Sequence, residues 1–167
     1  MKGIRLKRKF AILILLFGFI FLADQEAGSI DIALTGSWSK TINAFDLISG
    51  AGSDLTDSYE SAPNAVSITI SGAAGVFLNA WRINVKKVDT NWHGDLILWV
   101  RRTSDGTGGA VSGGDGYQPL TGTDSPFFNG SGDVSGIKVQ LKLSGVSVQV
   151  PPDTYTTTVY YTVVDTD

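Results

Sequence analysis

Ile137-Lys138-Val139-Gln140-Leu141-Lys142-Leu143 alternates apolar and polar side chains without a break. In an extended chain successive side chains point to opposite faces, so period two gives one apolar face and one polar face. No window of the mature chain shows the 3.6 period of an amphipathic helix. The stretch therefore reads as a strand, with Ile137, Val139, Leu141 and Leu143 toward a core and Lys138, Gln140 and Lys142 toward water. Past a turn at Ser144-Gly145, Val146, Val148 and Val150 alternate with Ser147 and Gln149, which predicts a hairpin.

Working outward, Thr154 to Val164 places Tyr155, Val159, Tyr161 and Val163 on one face and threonines on the other, and its β-branched and aromatic side chains suit a pleated surface. Upstream, Val66-Ile68-Ile70 and Trp81-Ile83-Val85 alternate in the same way, as do Ile30-Ile32-Leu34. Asp95 to Arg101 has Leu96, Leu98 and Val100 on one face and Ile97 and Trp99 on the other, as in a strand covered twice or one with an exposed aromatic. Trp38 to Ile42 supplies one more strand. About eight strands joined by Gly, Pro, Asn, Asp and Ser turns predict an all-β fold, an antiparallel β-sandwich, with a closed β-barrel as the alternative. Two stretches read as long connections: Asp46 to Pro63, and the glycine-rich Ser104 to Gly136 with its Phe127-Phe128 pair.

The N-terminus has a different character. Lys2, Arg5, Lys7, Arg8 and Lys9 precede an apolar run from Phe10 to Ala23, the n-region and h-region of a signal peptide. Fourteen helical residues span about 21 Å, short of a bilayer's hydrocarbon core of roughly 30 Å, which favours cleavage over a permanent anchor. Ala27 and Ser29 have the spacing of a peptidase site, so residues 1–29 are expected to be removed and 30–167 to form one domain, secreted, periplasmic or at the cell surface. That leaves eight basic and 14 acidic residues, a formal net charge of −6, with the basic ones scattered in sequence. Nucleic acid and anionic membrane are accordingly not expected as partners. There is no cysteine, so apolar burial and the sheet ladder must supply the stability.

Signals for catalysis are few. His93, the one histidine, falls in the turn Asn91-Trp92-His93-Gly94-Asp95, and no nucleophile elbow or phosphate loop accompanies it, so an enzyme is not expected. One histidine and no cysteine cannot furnish a zinc site. Loop carboxylates suit calcium better, with Asp54, Asp57 and Glu60 as candidate ligands and Asp46 nearby, although their spacing is not that of an EF-hand. Asp105, Asp115, Asp124 and Asp133 offer a second such group. No other cofactor is indicated. Trp38, Trp81, Trp92, Trp99, Tyr117, Phe127 and Phe128 would stack on a glycan if several shared an exposed face, whereas Trp81 reads as core. Asn129-Gly130-Ser131 matches a glycosylation acceptor.

Val150-Pro151-Pro152-Asp153-Thr154-Tyr155 and the Thr/Val-rich strand after it resemble the closing strand of bacterial surface-fibre subunits of the spore coat U and archaic chaperone–usher type. Asp153 stands where that family usually has glycine, and the cysteines common in it are missing here. The resemblance implies an immunoglobulin-like sandwich completed by a strand from the next subunit, with Ile30, Ile32 and Leu34 as the donated residues and self-association through this N-terminal strand. The same residues also suit the first strand of their own domain, and that intramolecular pairing, the commoner outcome, is slightly favoured. The expected function is thus a non-enzymatic structural or adhesive surface protein, possible as a fibre or matrix subunit, with a secreted carbohydrate- or calcium-binding module as the alternative.

Overall fold

The computed structural model describes residues 30–73 and 79–167; the expected signal peptide lies outside them. The strands are β1 (Asp31–Gly36), β2 (Ser58–Glu60), β3 (Val66–Ser71), β4 (Ala80–Asn91), β5 (Ile97–Ser104), β6 (Thr107–Ser112), β7 (Gln118–Pro119), β8 (Ser125–Ser144) and β9 (Thr156–Asp165), with a 3-10 turn at Ala44–Asp46. The fold is all-β: every strand joins one antiparallel sheet, which curls into a half-barrel.

β8 is the spine. Along one flank β2 pairs with Lys142–Ser144, β3 with Val134–Val139 and β4 with Ser125–Ser131. Along the other flank β5 pairs with Lys138–Ser144 and β6 with Asn129–Ser135. Beyond these lie β1 against β3, β9 against β4 and β7 against β5. Twenty extended residues would reach about 66 Å, several times the radius of gyration of roughly 14 Å expected for a domain of this size, so β8 has to bend. Gly132 and Gly136, with φ of 69° and 74°, supply left-handed positions along it that glycine adopts at little cost. Register shifts interrupt the neighbouring ladders of β3, β4, β5 and β6, the bulges that let a sheet turn sharply.

The concave side holds the core. Trp81, Ile83 and Val85 of β4, Ile68 and Ile70 of β3, Val100 of β5 and Phe128, Ile137 and Val139 of β8 are all fully or almost fully buried. Trp81 meets Phe128 edge to face at 6.2 Å, and its indole N–H donates to the Gly132 carbonyl at 2.9 Å. Gly130 permits this, because a Cβ there would collide with the Trp81 ring.

Several expectations are corrected. Trp38 to Ile42 is not a strand; Trp38 packs against the core, and Lys40 is held by Asp46 at 2.8 Å and by the Tyr59 ring at 4.4 Å. Val146 to Val150 makes no hairpin, because the end of β8 already has β2 on one flank and β5 on the other, leaving no free edge. Val146 instead donates its N–H to the Asp57 carbonyl at 3.2 Å and is buried, while Val148 is exposed. The connection expected over Ser104 to Gly136 contains β6, β7 and the first half of β8, and Asp46 to Pro63 contains β2. Gln140, read as solvated, is only 4% exposed.

Candidate functional site

The convex face of β2, β8 and β5 carries the side chains that alternate away from the core. Across the ladder Glu60 lies beside Lys142, Lys142 beside Trp99, and Trp99 beside Pro119. Two residues along β8, Gln140 faces Arg101. Tyr117, just before β7, completes the group.

Gln140 is its anchor. Its Oε1 accepts from Arg101 Nε at 2.9 Å and Nη2 at 2.7 Å, while its Nε2 donates to the Ser61 carbonyl at 2.7 Å and to Glu60 Oε2 at 3.4 Å. An amide satisfied on both ends and removed from water fixes the guanidinium plane. Arg101 then sits 4.6 Å from the Tyr117 ring centre. Lys142 Nζ lies over the same ring at 4.5 Å and over Trp99 at 5.1 Å, and the Trp99 indole N–H donates to Ser144 Oγ at 2.7 Å. Each such cation–ring contact contributes about 0.5–2 kcal/mol. Burial raises the Tyr117 phenol above its ordinary pKa, so it is a neutral hydroxyl at physiological pH, and among the described residues that hydroxyl has no hydrogen-bond partner. The result is two half-buried rings held by three strands, with two cations in contact with them. Further along the face, Lys138 Nζ donates to Ser67 Oγ at 2.9 Å. Basic residues that are scattered in sequence thus gather here through β-sheet alternation.

The other candidates are placed apart. Asp54, Asp57 and Glu60 do not come together: among the described residues no three carboxylate or histidine side chains form a group that could hold a metal ion. Asp105 pairs with Arg102, Asp124 accepts from Asn84 at 2.9 Å, and Asp133 accepts from the Ala73 amide at 2.8 Å. His93 stays in its turn, edge-on to Tyr155 at 6.0 Å, with its Nδ1 accepting from the Asp95 amide at 3.3 Å. Trp81, Phe127 and Phe128 are core, and Trp92 packs against it with its indole N–H donating to the Leu96 carbonyl at 2.8 Å. Asn129 lies on β8 between Arg82 and Ser112. Ile30 and Ile32 pack against the core, Leu34 is 42% exposed, and β1 pairs with β3 of the same chain over six residues.

Of this face, the sequence singled out Trp99, Tyr117 and Glu60, the last for a different role. Arg101, Gln140 and Lys142 were missed, although outward alternation on two neighbouring strands was a signal for them. No protein-family model matches the chain, and neither the curated proteins nor the solved structures gave a match.

Proposed function

We propose that this chain is an exported, non-enzymatic adhesive domain that holds a saccharide on the convex face of β5 and β8. The observation that carries the reading is that Trp99, held by Ser144, and Tyr117, beside the Gln140-bound Arg101, both contact Lys142 on one outward face. A pyranose presents apolar C–H faces and equatorial hydroxyls, and it is suited by aromatic rings with charged and amide groups at their margins. Rings anchored on strands bind without first being ordered, which lowers the entropic cost of association. The charged leader at Met1 to Ala23 supports export.

The test is affinity electrophoresis of the exported protein through gels containing different polysaccharides. Trp99→Ala and Tyr117→Ala should each migrate as if the polymer were absent while remaining folded, with a lowered but still cooperative melt, and no reducing ends should appear. Retardation equal to that of the parent in both variants would overturn the reading.

A second reading, the fibre subunit, rests on β1. This strand has a single neighbour, so the same six-residue ladder with β3 could be made by β1 of another copy.

A further inference from the structure

Lys142 is a cation of the convex face of β2, β8 and β5 that lacks a carboxylate partner among the described residues. Its ammonium contacts two ring faces, yet among the described residues it forms no ion pair and donates no hydrogen bond. Glu60, its neighbour across the ladder, accepts from Gln140 Nε2 at 3.4 Å instead. An ammonium carries three N–H donors. Here the two rings fix its position, and among the described residues no oxygen accepts from it. Arg101 commits Nε and Nη2 to Gln140, and no hydrogen bond engages its Nη1. A positioned cation with free donors beside two stacking surfaces has the chemistry to take up an anionic group attached to a ring.

We infer that the saccharide held here is an acidic one, with a uronate carboxylate bound by Lys142 while its pyranose ring lies against Trp99 or Tyr117. This rests on the saccharide-binding reading and specifies its ligand class. The number of charges is limited from both sides. The mature chain has a net charge of −6 and Glu60 stands next to Lys142, so a dense polyanion meets repulsion that a sparsely charged glycan escapes. That argues for isolated uronates on a largely neutral backbone and against a polynucleotide.

The experiment uses the full exported protein with three probes: glucuronoxylan, the same polymer after reduction of its carboxyls to alcohols, and single-stranded oligothymidylate. Glucuronoxylan should bind tightest, with affinity falling as salt rises. Lys142→Gln should lower that affinity about tenfold, the equivalent of one charge-assisted contact, and should lower the affinity for the reduced polymer by a clearly smaller factor. Lys142→Arg should restore most of it, and Lys87→Gln, which alters the cation over Trp92, should have no effect. Equal binding of the native and reduced polymers would refute the uronate while leaving the saccharide reading intact. Binding of neither polymer would remove both, and tighter binding of the oligothymidylate would reassign the face to single-stranded nucleic acid.

Discussion

Val139 and Gln140 are adjacent, point to opposite faces of β8 and are both buried, for different reasons. Val139 is at 0% exposure in the core, so Val139→Asp buries an unpaired carboxylate and should abolish folding. Gln140→Ala leaves the Arg101 guanidinium and the Ser61 carbonyl without their partner and should cost about 1–3 kcal/mol. Thermal melts followed by circular dichroism check both. Alternation made the first result foreseeable. It led to the wrong expectation for Gln140, because burial on a convex face depends on which side chains fold over it, here Arg101 and Tyr117. A third consequence concerns alkaline pH. Burial raises the phenols of Tyr59, Tyr117 and Tyr161 above their ordinary value. A raised folded-state pKa stabilises the protein below the unfolded value of about 10 and loses that contribution as pH rises past it. Stability should therefore fall above pH about 10, with the phenolate absorbance of Tyr161, the most deeply buried of the three, appearing together with unfolding. Its ionisation well before unfolding would contradict the burial.

At the level of elements, the bend in β8 holds the sheet's two ends in one core. Gly132 has a left-handed φ within this strand, and Gly132→Val should destabilise the fold by about 1–3 kcal/mol, since a β-branched residue resists that conformation. Denaturant titration measures it, and an unchanged midpoint would show that the strand does not need glycine there. The strands legible in the sequence were β1, β3, β4, β9 and the second half of β8, each with one dry and one wet face, and β5, which is apolar on both. The first half of β8 was not, because Phe127-Phe128-Asn129-Gly130-Ser131-Gly132 lacks alternation and its glycines mimic a loop; only their pairing with β4 and β6 makes them a strand. The hairpin expected at Val146 failed for the converse reason. Its pattern was sound, but no sheet edge was left to receive it.

For the whole molecule, the two functional readings predict different behaviour on dilution. A fibre subunit that exchanges β1 should dissociate as concentration falls, and deletion of residues 30–36 should leave a folded domain unable to associate. A domain that keeps β1 on its own β3 should run as a monomer at every concentration in light-scattering chromatography, and the same deletion should lower its melting temperature. Half of the candidate site was legible, since two of its aromatics and its carboxylate stood out in sequence; what gathers them is the order of strands around β8, which alternation alone does not specify. The most direct test of the central claim, that the convex face is the binding surface, is a nuclear magnetic resonance titration of the indole N–H signals with glucuronoxylan oligosaccharides. The Trp99 signal should shift progressively to saturation while that of Trp81, sealed in the core against Phe128, stays in place. A Trp99 signal that does not move while the oligosaccharide binds would contradict the account.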